Sequence, residues 1–438
     1  MNVLIVGHAC SPRRGSELAF TWNWAWHLSQ KYEVWVLTHP QEKKYIEEFL
    51  AEHPNPNLHF AWVTVPCWLD TWDPASDRRV GRLHYHLWQR AALRRASSLH
   101  KRVGFHIVHH VSWGTVSEPP LLWRLPIPFV WGPVGGGQVS PASFRNYWGS
   151  AARVELARDV RMRLIPFRPV LKKAARKSAM IFATNHETAR ILERAGASRL
   201  KLFLDTGIRE DFLPKQVPQR VPGSHMRLLW TGRLLPRKCL PLAIEALAQV
   251  RDLPIRLVVA GKGAMRRQWE ALAEKHGLSS RVEFLGEIPY NQMPALYQSA
   301  DVFIFTSLRD AFGSQVLEAM ASGLPVVALG HQGVGAFVPP EAGIKVPVTN
   351  PRETVSGLAS AIRHLAGSEQ VRAEKGREAW QFARTQTWTR RAEMMSRYYE
   401  EVVQRWHNPP KAGQKDVRTG LHLLTSHSRA SSPDHDHV

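Results

Sequence analysis

Short apolar runs alternate with longer amphipathic stretches from the first residue, the order expected when buried parallel strands are joined by helices that cross back over a sheet. NVLIVG at 2–7, EVWVLTH at 33–39, LHFAWVTVP at 58–66, FHIVHHV at 105–111, IPFVWGP at 127–133, AMIFAT at 179–184 and KLFLD at 201–205 read as strands of one sheet. RLLWTG at 227–232, IRLVVAG at 255–261, RVEFLG at 281–286, DVFIFTS at 301–307 and PVVAL at 325–329 read as strands of a second. Helices are predicted at 17–29, with Leu18, Trp22, Ala25 and Trp26 as its stripe, and at 41–53, 239–251, 264–277, 292–299, 314–322 and 388–406. KQVPQRVPGSHM at 215–226 has the composition of a linker. The pattern therefore predicts an α/β chain of two Rossmann-like, doubly wound domains facing a central cleft. Their expected limits are 1–215, joined by the helix at 388–407, and 216–387, with a polar, His-rich tail at 408–438 expected to be disordered.

The stretch 301–327 organises the second half. An uninterrupted apolar run is followed by SLRDAFGS, rich in turn formers, and then by Val316, Leu317, Ala319 and Met320 on one helical face that Gly323 closes and Pro325 ends. A strand, loop and helix in that order point unpaired amides out of the carboxyl edge of the sheet, where anionic groups bind. Asp310 and Glu318 flank the loop. Their separation suits one acid on a sugar hydroxyl and the other on a ribose; an acid that caps the helix and a surface Glu is the plain alternative.

Composition narrows the class. No apolar run nears the roughly 18 residues of a membrane span, and MNVLIVGHACSP lacks the basic lead of a signal peptide, so a cytoplasmic protein is expected. Cys10, Cys67 and Cys239 are too few and too widely spaced for a zinc site, and no metal is expected. The net charge of +21 is concentrated: residues 78–102 hold eight Arg/Lys and no acid, and residues 151–177 hold nine against Glu155 and Asp159. Both segments read as basic amphipathic helices, with Leu83, Leu87, Trp88 and Leu93 in the first and Val154, Leu156, Val160 and Leu164 in the second. Such helices favour an anionic membrane, which places the protein peripherally at the inner face; with no nucleic-acid motif beside them, nucleic acid is not expected as a partner.

LLWTGRLLPRKCLPLAIEALAQV, IRLVVAGKGAM, FLGEIPYNQMPALYQSADVFIFTS and DAFGSQVLEAMASGLPVV resemble, in order and spacing, the C-terminal half of family 4 glycosyltransferases. HACSPRRGSE, IVHHVSWGT and WGPVGGG resemble, more loosely, the acceptor-side loops of a polysaccharide-type subgroup. The resemblance implies the GT-B fold and transfer of a hexose-type sugar from a nucleotide-diphosphate donor to a glycan or lipid-linked acceptor, with retention and without a bound metal or other cofactor.

Carried over residue by residue, Gly232, Arg233 and Lys238 resemble the family's phosphate-binding Gly-Arg and Lys. An Arg fork and a Lys point charge are what a leaving diphosphate needs in the absence of a metal. Asp310, Phe312, Gly313, Ser314 and Glu318 match the family's acid-to-Glu signature, which puts Glu318 on the ribose; Glu287 and Ile288 in FLGEIPY complete the implied donor contacts. Asp310 departs from the usual Glu, and Cys239 from the usual Gly after the Lys. On the acceptor side Gly15 resembles the glycine loop over the diphosphate, beside Ser16 and Glu17. Gly135 and Gly136, followed by Gly137, permit close backbone approach or form a plain turn. His109 and His110 end a strand that feeds the cleft, and alternation lets at most one face a sugar. Two rivals are weaker. A dehydrogenase needs GxGxxG after the first strand, which VGHACSPRRGS lacks. A basic membrane- or nucleic-acid-binding protein without catalysis leaves Arg233, Lys238, Asp310 and Glu318 unexplained.

Overall fold

The computed structural model describes residues 1–409 apart from 16, 67, 69, 71, 73–80 and 221–222. The apolar runs form two parallel sheets. The first contains β1 (Asn2–Gly7), β2 (Glu33–Thr38), β3 (Leu58–Trp62), β4 (Ile107–Ser112), β5 (Phe129–Val134), β6 (Met180–Ala183) and β7 (Leu200–Leu202), in the order β3-β2-β1-β4-β5-β6-β7. The second contains β8 (Met226–Thr231), β9 (Ile255–Ala260), β10 (Val282–Gly286), β11 (Val302–Phe305), β12 (Val326–Leu329) and β13 (Gly343–Val346), in the order β10-β9-β8-β11-β12-β13. β4, β5, β6, β11 and β12 are buried at every position, as strands covered on both faces by helices must be. Several helices begin at side-chain caps: Asn185, Asn350, Ser368 and Thr387 accept from the amides of Thr188, Glu353, Val371 and Arg390.

Strand order reverses between β1 and β4 in one sheet and between β8 and β11 in the other. Loops leaving neighbouring strands in opposite directions open a crevice at such a point. The two halves also exchange segments. Helix Trp388–His407 returns to the first sheet, where Trp388, Met395, Tyr399 and Val402 pack with Val3 and Ile5. In the other direction, Phe144 and Trp148 enter the core of the second domain beside Leu240 and Trp269.

Several expectations need correction. Helix Glu17–Leu28 buries Thr21, Trp22, Trp24, Ala25 and Leu28, whereas Leu18 and Trp26 are half-buried. It lies between the sheet and helix Trp388–His407, so its apolar face is broader than one stripe; Trp24 meets Trp388 at 5.4 Å. The linker is fastened to the second domain, because Arg220 donates to the carbonyls of Ala300, Gly323 and Ser322 at 2.7, 2.9 and 2.8 Å. The basic segment at 151–177 is two helices, Ala152–Leu164 and Pro169–Lys177, separated by a 3-10 turn that contains Pro166. Ser16, Cys67 and the tail from 410 onward lie outside the described residues.

Candidate active site

The loops leaving β8 and β11 meet at a buried ion pair. Lys238 donates to Asp310 Oδ2, and Arg237 approaches the same oxygen at 3.4 Å. Burial alone would raise the Asp310 carboxyl, but Lys238 and Arg237 outweigh it and hold the group below its usual value. Burial likewise lowers Lys238, against the pull of Asp310. The acid is aimed by its backbone: its amide donates to Gln332 Oε1 at 2.8 Å, and Ala311 N–H donates to its Oδ1 at 3.2 Å. Asp310 does not cap helix Ser314–Ala321, whose N-cap is Gly313 with φ +97 and no side-chain cap bond. Gly313 is required there, since a side chain is strained at that φ and a Cβ would come 3.0 Å from the Phe305 ring. Lys238 and Asp310, expected on phosphate and on sugar, are thus paired with each other here. Arg233 stands exposed on the same loop.

Glu318, one turn into that helix, is buried without a cation. Tyr297 O–H donates to it at 2.9 Å and Tyr290 adds a second hydrogen bond. Burial raises its carboxyl to about 7. Above the unfolded value of about 4.3 and up to about 7 the folded chain keeps a proton that the unfolded chain releases, so stability falls as pH rises through that window. Glu318→Gln is expected to abolish this slope, gaining on the parent in melting temperature from pH 5 to pH 7, while raising the donor KM about tenfold above pH 7, where the carboxylate is ionised, through loss of a charged hydrogen-bond acceptor. Melting curves against pH and initial rates against donor concentration read the two effects; an unchanged KM would remove Glu318 from the donor site. Of the remaining donor-side residues, Phe312 is buried, Ser314 and Ile288 are half-buried, and Glu287 pairs with Lys262 on the surface at 2.5 Å.

On the first-domain side Glu17 opens helix Glu17–Leu28 and accepts from the Gly114 amide; burial, and then Asp205, raise it to about 7. Asp205 is itself raised to about 6 by burial and by Asp310. Three carboxylates from both domains thus share one field. Gly15 is exposed, with nothing within 4 Å of a Cβ added to it.

The histidine assignments are corrected. His109 Nε2–H donates to Gly132 O at 2.5 Å and its Nδ1 accepts from Tyr399 O–H at 2.6 Å, so both nitrogens serve packing; burial lowers the ring to about 4. The Tyr85 hydroxyl oxygen accepts from the Trp113 amide at 3.1 Å and its O–H donates to His110 Nε2 at 3.2 Å, and His110 too is fully buried, lowered by burial to about 3. Neither ring is exposed to the cleft. Gly135, Gly136 and Gly137 form a packed turn: a Cβ on Gly135 would sit 3.5 Å from Ala311 of the other domain and one on Gly137 would sit 2.7 Å from Thr188 Cα. Arg158 clasps this turn through the carbonyls of Gly136 and Gln138.

The domains are tied beside the Asp310 loop. Arg309 forms a fork on Glu155 at 2.7 and 2.9 Å, Gln332 donates to Val139 O at 3.1 Å, and Tyr147 O–H donates to Glu245 at 2.6 Å. One group of metal-ligand type was not foreseen. His39, Asp70 and His84 place a nitrogen or oxygen within 4.8 Å of one another. His39 Nδ1 accepts from the Gln41 amide at 3.2 Å, which puts the proton on Nε2, and Nε2–H donates to Asp70 at 2.9 Å. The set is thus a hydrogen-bonded one, and a metal would have to displace that proton.

Residues 216–378 match the family model described as glycosyl transferases group 1, in keeping with the resemblance of the second half. D-inositol 3-phosphate glycosyltransferase of Corynebacterium glutamicum (strain R) is 29% identical over 192 residues, 42% of this chain and 45% of that protein. The putative colanic acid biosynthesis glycosyltransferase WcaL of Escherichia coli (strain K12) is 28% identical over 205 residues, 44% of this chain and 50% of that protein. The chain thus spans about half the length of the curated relatives it matches. Among solved structures, sucrose-phosphate synthase from Thermosynechococcus elongatus aligns with a TM-score of 0.64 at 17% identity, covering 92% of this chain and 99% of that one. Anabaena HepE in complex with UDP-glucose aligns with a TM-score of 0.57 at 16% identity, covering 92% and 100%. These likenesses give the fold, two Rossmann-like domains in the GT-B arrangement. Among the described residues no helix is long and apolar enough to cross a membrane.

Proposed function

We propose, from the premise that residues 216–378 are a domain of the group 1 glycosyl transferases, that the chain is a glycosyltransferase acting in polysaccharide or glycolipid assembly. It moves a hexose-type sugar from a nucleotide-diphosphate donor to a glycan or lipid-linked acceptor, with retention and without a metal or other cofactor. The observation that carries this reading is the convergence of Arg237 and Lys238, in the field of Arg233, with Asp310 where strand order reverses between β8 and β11, while Tyr297 joins Glu318 to Thr231 at the end of β8. In transfer the bond between the anomeric carbon and the phosphate oxygen breaks, the acceptor hydroxyl oxygen takes that place on the same face of the carbon, and the hydroxyl proton passes to the departing phosphate oxygen. Charge then develops on the diphosphate, and the cations of the 232–238 loop supply its counter-charge. Diphosphate binding would draw Lys238 from Asp310 and free that carboxylate for a sugar hydroxyl. Glu318, with its oxygens already ordered by Tyr297 and Tyr290, suits the paired hydroxyls of a ribose. UDP-glucose sits in the HepE complex, which makes UDP-sugars the first donors to try. The lipid-linked acceptor would be met at the inner face of an anionic membrane.

A panel of nucleotides in thermal shift tests the class: stabilisation by a nucleoside diphosphate is expected, and stabilisation by NAD alone, or by none, would refute it. Arg233→Ala is expected to lower kcat/KM on the order of a hundredfold with an unchanged melting temperature, because the side chain is exposed. Near-native turnover in that variant would take Arg233 out of the phosphate site.

A further inference from the structure

Six of the eleven large apolar side chains exposed among the described residues lie within residues 154–170. Val160 is 57% exposed, Leu164 62% and Phe167 66%. Helix Ala152–Leu164 turns Glu155 and Met162 inward and repeats Leu156, Val160 and Leu164 every four residues on the outward side. This inverts the usual arrangement, in which the apolar stripe faces the core. A continuous apolar patch on a surface marks a contact. Exposed Arg153, Lys173 and Lys177 lie on the same two helices, and the Lys172 ammonium lies 5.6 Å over the Phe167 ring. Both acids of the segment are already engaged, Glu155 by Arg309 and Asp159 by Arg163, which leaves the remaining charge positive. The other basic helix, Arg82–Val103, behaves differently: Tyr85, Trp88, Ala92 and Leu99 point inward, and Leu83 is its one exposed large apolar side chain.

We propose that the face formed by residues 152–170 docks on the surface of an anionic lipid bilayer. Leu156, Val160, Leu164 and Phe167 enter the boundary between headgroups and acyl chains, and the cations of the same two helices lie among the lipid phosphates. Nucleic acid would answer the charge but not the aliphatic stripe. A second copy of the chain would cover the stripe only by opposing like charges. Helix Arg82–Val103 adds long-range attraction without insertion. The inference deepens the lipid-linked part of the reading above and rests on it for its purpose, but docking is measured without turnover.

The test is flotation of the full chain with vesicles of phosphatidylcholine, alone or with about a third phosphatidylglycerol, at low and high salt. Binding to the anionic vesicles, weakened by salt, is expected, with a loss of about tenfold in the triple variant Leu156→Ser, Val160→Ser, Leu164→Ser. Changing Arg90, Arg94 and Arg95 to Ser in the other helix, which attracts without inserting, is expected to weaken binding less than the apolar triple variant does; a greater loss than in the triple variant overturns the proposal. All these side chains are solvent-facing, so unchanged melting curves are expected and verify folding. Equal binding by the parent and the triple variant, or no preference for anionic vesicles, overturns the proposal. A dimer in sedimentation that the triple variant breaks, without vesicle binding, overturns it in favour of a second copy. Failure to transfer sugar to any acceptor, with flotation intact, would count against the transferase reading alone.

Discussion

Lys238→Met is expected to lower stability by about 3 kcal/mol and, at a temperature where the variant is still folded, to lower kcat/KM by at least about a hundredfold. The two losses have separate origins. The first comes from Asp310, left without its main partner in a site lined by Phe305, Phe312, Leu329 and Val334. Breaking one side of a buried pair exposes the desolvation penalty of the survivor, and the partial exposure of Asp310 together with Arg237 at 3.4 Å puts the effect at the low end of the usual range. The second loss comes from the leaving diphosphate, which loses a point charge. The double variant Lys238→Met, Asp310→Asn separates them: it should recover stability to within about 1 kcal/mol of the parent, because no lone charge remains, but none of the rate. Chemical denaturation and initial rates on the four proteins of the cycle decide the matter. If Lys238→Met keeps near-native turnover, the lysine serves only the fold; if the double variant stays as unstable as the single, the pair is not the source of the loss.

The strand-helix alternation was legible because parallel strands buried on both faces are written as uninterrupted apolar runs. β13 was not read, since Gly343–Val346 contains a half-exposed Lys and only four residues. The helices at 351–384 went unmarked, although Asn350 and Ser368 are ordinary cap residues. Local chemistry also explained one departure after the fact. Cys239 has φ +45, the region where glycine is favoured, so the residue usual at that position is the one with the least strain. What could not be read were relations across the chain. Lys238 with Asp310, Glu17 with Asp205, and His39 with Asp70 and His84 join residues far apart in sequence, and no periodicity records such a meeting. His109 and His110 show the reverse error. Their place at the carboxyl end of a central strand suggested the cleft, but Tyr399 from the returning helix and Tyr85 from helix Arg82–Val103 already hold them. Spacing also suggested amphipathic helices at 78–102 and 151–177, without telling which apolar stripe faces the protein.

Arg309→Gln is expected to weaken the arrangement of the domains by about 3 kcal/mol, the low end of the penalty for breaking a buried pair, because Ser140 and Arg158 stay beside Glu155. Glu155 is 4% exposed and accepts from Arg309 at 2.7 and 2.9 Å and from Ser140 Oγ at 2.8 Å. Burial pushes its carboxyl up, but Arg309 holds it below its usual value. The pair lies one residue from Asp310, and the Arg309 carbonyl accepts from Arg237 at 2.9 Å, so domain closure and the cation cluster share one segment of backbone. With Arg309 gone, Glu155 keeps Ser140 and the nearby Arg158, but nothing ties it to the second domain. The expected result is a larger radius of gyration in small-angle scattering and a kcat lowered about tenfold or more. Stabilisation by a nucleoside diphosphate should persist, since Arg233 and Lys238 are untouched. Replacing both partners, Arg309→Met with Glu155→Leu, should restore melting by removing the stranded charge. Loss of nucleotide stabilisation in Arg309→Gln would place the guanidinium on the donor instead of on the contact between the domains. An unchanged radius together with unchanged kcat would mean that Phe144 and Trp148, anchored in the second core, hold the domains closed without the ion pair.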